Sequence, residues 1–101
     1  MITLSNGNAC LQYRGWCEAL HAIRLGEFHG QTVNVHIGKS RFVVPWFTLR
    51  VIADKLDKGE TVHIQHGGEC HHLQDYGDIN QLFFNFPMHR AYVDNGVIKV
   101  V

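Results

Sequence analysis

The segment HIQHGGECHH, residues 63–72, concentrates side chains that could bind a metal ion. If its Gly-Gly pair forms a two-residue turn, the segment is a β-hairpin in which His63 faces His72. Cys70 then lies on the same polar face, because it is two residues from His72 along one strand. Imidazole nitrogen and thiolate are both good zinc ligands. The sequence therefore nominates His63, Cys70 and His72 as a metal site, with zinc as the one cofactor to consider.

The spacing of these residues matches no established zinc signature. The sequence contains no H-E-x-x-H, no paired C-x-x-C and no H-x-E…P-C-x-x-C motif. A fourth ligand would have to come from outside the hairpin, and the candidates are Asp75, Asp78 and His89. Histidine-rich tracts are only a compositional cue for metal binding. We therefore favour a solvent-facing hairpin without metal and keep the zinc site as an alternative.

Catalytic chemistry has little support in the sequence. Cys70 has His71 beside it, but adjacent residues of a strand point to opposite faces, and catalytic Cys and His usually meet through the fold. Asp75 and Asp78 lie in a turn-rich stretch, where carboxylates commonly cap the backbone. No G-x-S-x-G, P-loop or G-x-G-x-x-G motif is present. We name no catalytic residue and favour a role that is not enzymatic.

The elements that would position these side chains are mostly β-hairpins. Three further dipeptides are two-residue turn signals between short extended runs: Asn6-Gly7, Gly38-Lys39 and Asn95-Gly96. Around the second turn, the register pairs Val35 with Phe42 and His36 with Arg41, so the apolar side chains share one face. Around the third turn it pairs Tyr92 with Lys99. Turn chemistry and apolar pattern thus predict the same hairpins.

Two helices interrupt the hairpins. Apolar residues recur at helical spacing over about 16–25 and 45–58. Pro45 suits the start of the second helix, and a glycine follows each helix. Hairpins that alternate with helices predict an α+β fold. We expect one compact domain over residues 1–101, with a mostly antiparallel twisted sheet and both helices packed on it.

The composition fits a single folded domain with balanced charge. Of the 101 residues, 46% are apolar and 18% are charged, which is typical of a chain that can bury a core. Nine basic residues balance nine acidic ones, and the basic residues are scattered along the chain. A nucleic-acid partner is therefore not expected from net charge. The eight histidines would make the chain positive in mild acid.

The expected location is the cytoplasm, without a membrane partner. The N-terminal stretch MITLSNGNAC has neither the basic nor the apolar region of a secretory signal. No apolar run reaches the roughly 18 residues that a membrane-spanning helix needs. The three cysteines are odd in number and form no C-x-x-C motif, which favours a reducing compartment.

The favoured function is a small regulatory protein that acts through a protein–protein surface, for example as an inhibitor or modulator of a larger partner. Small accessory proteins of phages and plasmids often act in this way. The predicted partner surface consists of Arg41, Phe83, Tyr92 and Lys99, because exposed aromatic and basic side chains mark such surfaces.

Two alternatives stay open: a zinc-binding protein or small metalloenzyme that uses the 63–72 hairpin, and a nucleic-acid-associated regulator. A homodimer formed through an open edge strand or the Phe83 face is a further hypothesis.

Overall fold

The secondary structure alternates β-hairpins with helices, as the sequence predicts. The structure is a computed structural model, and it describes residues 1–79 and 89–101. A short helical segment at residues 76–79 follows the third hairpin. The strands are β1 (Ile2–Ser5), β2 (Cys10–Tyr13), β3 (Thr32–Ile37), β4 (Ser40–Pro45), β5 (Val62–His66), β6 (Glu69–Leu73), β7 (His89–Asp94) and β8 (Val97–Val100), and the longer helices are α1 (Trp16–Arg24) and α2 (Trp46–Asp57).

Three hairpins, β3–β4, β5–β6 and β7–β8, form with the strand registers that turn chemistry predicts. The β1–β2 hairpin differs, because Ser5 lies opposite Cys10 and residues 6–9 form a four-residue loop instead of a two-residue turn at Asn6-Gly7. Val35 lies opposite Phe42 in the β3–β4 hairpin, and Tyr92 lies opposite Lys99 in the β7–β8 hairpin. Asn95 and Gly96 have φ angles of 52° and 77°, which is the pattern of a type I′ turn. Asparagine and glycine tolerate these angles better than other residues, and the twist of this turn matches that of the strands.

The strands form one sheet in the order β2-β1-β3-β4-β7-β8-β5-β6. Its pairings are antiparallel except for two parallel contacts, β4 with β7 and β5 with β8. The β4–β7 contact joins the two four-stranded halves of the sheet, and among the described residues its pairs are Phe42 with His89 and Val43 with Arg90. The predicted mostly antiparallel α+β domain is confirmed.

The core lies between the helices and one face of the sheet. Alternate residues of the strands enter it, since Leu4, Val33, Phe42 and Ile98 are each at most 1% exposed. The helices add apolar stripes, with Trp16, Ala19, Leu20 and Ile23 from α1 and Leu49, Ile52, Ala53 and Leu56 from α2. No helix within residues 1–79 and 89–101 has the length and apolar character needed to span a lipid bilayer.

Phe47 does not widen the apolar stripe of α2, although its spacing with Val51 predicts that it would. Its side chain is 60% exposed. The next residue, Thr48, faces the core and is buried. One residue step turns the helix by about 100°, so Phe47 points away from the sheet.

The outer surface of the helices carries charged side chains of both signs that pair with one another. Arg24 of α1 contacts Asp54 and Asp57 of α2 at 3.2 and 3.1 Å, and Arg50 contacts Asp54 at 3.0 Å. These ion pairs link the two helices at a surface where each contributes little stability. Burial raises the pKa of the nearby Tyr13 phenol, and Glu27 and Glu18 raise it further.

Candidate functional site

The candidate site is the face of the sheet on which no described helix packs, and we call it the open face. Strand residues on this face alternate with the buried residues that form the core. The strand registers determine which residues lie on this face. Across the sheet they are Gln12, Cys10, Thr3, Ser5, Thr32, Asn34, His36, Arg41, Val43, Pro45, Arg90, Tyr92, Asp94, Lys99, Val97, His63, Gln65, Cys70 and His72.

The open face contains three of the four residues that the sequence nominates as a partner surface. Arg41 lies on β4, Tyr92 on β7 and Lys99 on β8. The Tyr92 side chain is 40% exposed, so an aromatic ring is available to a partner. Lys99 contacts Asp94 at 3.2 Å, so its charge is largely balanced within the protein. The fourth nominated residue, Phe83, lies outside the described residues.

The proposed metal ligands lie on the open face as well, at its β5–β6 edge. His63 and His72 are directly opposed, and their ring centroids are 4.8 Å apart with planes at 88°. Cys70 is an exposed free thiol on the same face. It lies opposite Gln65, two residues along each strand from the His63–His72 pair. Among the side chains that the structure describes, which do not include that of His89, no group of three His, Cys, Asp or Glu residues is placed to hold a metal ion. The structure thus brings together two of the three nominated ligands.

Asp75 and Asp78 cap the short helical segment that follows β6. Asp78 accepts a hydrogen bond from the Gln74 backbone N–H at 2.7 Å, and Asp75 accepts one from the Asp78 backbone N–H at 3.1 Å. This reciprocal arrangement satisfies backbone donors at the start of a helix. It confirms the interpretation of both carboxylates as capping groups. Of His89, the other candidate fourth ligand, the structure describes only the backbone in β7.

Basic side chains gather at the centre of the open face. Arg41 and Arg90 lie on the neighbouring strands β4 and β7, and His36 is directly opposite Arg41. All three line a recess of about 630 Å³ over Val43. A second recess of about 430 Å³ continues toward Tyr92, and Val43 and Arg90 line both. The two recesses thus share Val43 and Arg90 and lie in a row between His36 and Tyr92, and we call them together the trough.

Arg90 is the site residue that sequence reasoning missed. Its proximity to Arg41 depends on the parallel β4–β7 contact, which joins strands more than forty positions apart in the chain. Turn dipeptides and apolar alternation report only on local pairing. The scattered basic residues of the sequence therefore include two that the fold brings together, and a net charge of zero conceals this local cluster.

The distribution of charge suits the open face to binding an anionic group. Among its described members Asp94 is the one acidic residue, and it is occupied by Lys99. Clefts lined by one sign of charge concentrate ligands of the opposite sign.

No protein-family model matches the chain, and no curated protein or solved structure matches it either, so its function has to be inferred from the open face itself.

Proposed function

We propose that the protein is a non-enzymatic binding protein that regulates a larger protein partner through the open face of its sheet. The observation that carries this proposal is the one-sided packing of the domain. Helices bury one face of the sheet, and the other presents Tyr92 and Arg41 to solvent. Tyrosine and arginine are enriched among the residues that dominate binding energy in protein interfaces.

The size of the open face supports the proposal. Eight strands at a spacing of about 4.8 Å give a face about 34 Å wide. The two longest extents of the domain are 35 and 28 Å. A standard protein–protein interface buries about 800 Å² on each partner, which a face of this size can supply.

The cytoplasm is the setting that best suits this function. Cys10, Cys17 and Cys70 are free and exposed. Exposed free thiols persist in compartments that keep cysteine reduced. We therefore include a cytoplasmic location in the proposal, together with the inhibitor or modulator role.

Replacing Tyr92 by alanine is expected to weaken partner binding by about tenfold or more, because truncating an aromatic hot spot commonly has an effect of this size. The partner is first captured in cells of the native host, with a photoreactive phenylalanine analogue at position 92. The dissociation constant of the identified partner is then measured for the wild type and for Tyr92→Ala.

Phe47 provides a matched control, since it is an exposed aromatic on α2, on the other side of the domain. The analogue at position 47 should give no adduct, and Phe47→Ala should bind the partner normally. Adducts from position 47 and none from position 92 would place the binding surface on the helices. An adduct at twice the mass of the chain would identify the partner as a second copy, which is the homodimer hypothesis.

We also propose, as a second candidate, that the open face holds a zinc ion at its β5–β6 edge. The specific observation is the contact between the His63 and His72 rings. Two imidazoles supply two zinc ligands, and Cys70 becomes a third if its side chain turns toward them. The zinc site would then mark a metal-binding protein or a small metalloenzyme.

Calorimetric titration of the untagged protein with zinc tests this candidate. His63→Gln and His72→Gln should each abolish binding, and Cys70→Ser should weaken it. His21→Gln serves as the control, because His21 is exposed on α1. Zinc should also raise the melting temperature of the wild type, since a ligand that binds only the native state stabilises it. Equal zinc binding by wild type and the His63→Gln variant would rule the site out.

A further inference from the structure

The centre of the open face carries positive charge that the described part of the protein does not neutralise. Arg41 and Arg90 line one recess, and neither has an ion pair with a residue in 1–79 or 89–101. Arg41 lies diagonally across from Arg90, because Val43 is the residue opposite Arg90. Diagonal neighbours in a sheet are about 7–8 Å apart and within reach of long side chains, so an anion that binds between the two guanidinium groups can contact both.

The surroundings of the two arginines leave room for such an anion. The recess has no carboxylate in its lining, and its other polar groups are the neutral Ser5 and Asn34 and the imidazole of His36. Asp94, further along β7, is engaged by Lys99. The planar guanidinium group binds carboxylates through two parallel hydrogen bonds. An incoming carboxylate therefore meets two such groups without a competing acid.

The positively charged area is small, which favours a protein ligand over a nucleic acid. The two arginines occupy adjacent strands, and the strands beyond them present neutral side chains such as Thr3 and Gln65, or the balanced Lys99. A nucleic acid carries a charge on every phosphate and is bound by a groove that stays positive along its length. A short cationic centre in a neutral face instead matches a few acidic side chains.

We infer that the trough from His36 to Tyr92 binds an extended acidic segment of the protein partner, with Arg41 and Arg90 holding its carboxylates. This inference rests on the proposed function and names the chemistry of the partner. The trough passes over Val43 and ends at the Tyr92 ring, so the segment contacts an apolar floor and an aromatic side chain besides the two guanidinium groups.

The probe for this inference is a capped hexaglutamate peptide, titrated into the full chain at low ionic strength and followed by amide NMR spectra. The peptide should shift signals from β3, β4 and β7, and a capped hexaglutamine peptide should not. Arg41→Ala/Arg90→Ala should weaken hexaglutamate binding about tenfold or more, because both partners of the carboxylate are lost. The same spectra show whether each variant is folded.

Arg14→Ala/Lys58→Ala is the matched control, since it removes the same two charges from positions outside the open face. It should bind hexaglutamate as the wild type does. Undiminished binding by Arg41→Ala/Arg90→Ala overturns the inference, and so does tighter binding of a short oligothymidylate at the same strands. If hexaglutamate fails while position 92 still captures a protein partner, the acidic character is wrong and the proposed function stands. If hexaglutamate binds and position 92 captures nothing, the proposed function fails instead.

Discussion

Phe42→Ala is expected to lower the free energy of unfolding by about 3–5 kcal/mol, which is the usual loss when a buried phenylalanine is truncated. Phe42 is 1% exposed, and it faces Trp16, Leu20 and Ile98 in the core. Domains of this size are stable by about 5–15 kcal/mol, so the variant loses a large fraction of the total. Urea unfolding followed by circular dichroism measures the change.

Phe47→Ala makes the same chemical change at a residue that is 60% exposed. Surface truncations usually change stability by no more than about 0.5 kcal/mol, so its unfolding midpoint should stay close to that of the wild type. Similar losses in the two variants would mean that Phe42 does not lie in the core as described.

Val35→Asp should prevent folding at ordinary temperature, because an unpaired charge at this position would be buried. Val35 is 1% exposed. Burial of a carboxylate without a partner costs several kcal/mol, which is comparable to the whole stability of a marginally stable domain. Thermal unfolding and one amide NMR spectrum are enough to measure the outcome.

The same change at the next residue, His36→Asp, is the control for Val35→Asp. His36 is exposed and lies opposite Arg41, so His36→Asp should fold and gain a surface contact with that arginine. The same substitution places a carboxylate in the recess and should weaken hexaglutamate binding. A native-like Val35→Asp protein would indicate that β3 is shifted by one residue, since such a shift exchanges the two faces of a strand.

The hairpins and helices were predictable because their determinants are local. A turn dipeptide such as Asn95-Gly96 fixes which strand residues oppose each other, and alternating apolar residues fix which face is buried. The pairing of Tyr92 with Lys99 and of His63 with His72 follows from these two facts alone. The same local reasoning placed these residues on polar positions of their strands.

The strand order and the centre of the open face were not predictable from local pattern. The parallel β4–β7 contact forms between distant segments, and no turn residue reports on it. The juxtaposition of Arg41 and Arg90 is a product of that contact. Cys70 was placed too close to the two histidines for a different reason. The predicted register of the 63–72 hairpin is correct, but Cys70 is a diagonal neighbour of His63, and diagonal neighbours in a sheet lie about 7–8 Å apart.

The short contact between β4 and β7 has a consequence for what a ligand does to the domain. Among the described residues, two pairs join the halves of the sheet there, and Arg41 and Arg90 lie on opposite sides of this contact. A ligand that binds both arginines contacts both halves of the sheet and links them across the β4–β7 contact. Occupancy of the trough should therefore slow hydrogen exchange of the Phe42 and Val43 amides, so that recognition and mechanical rigidity rise together.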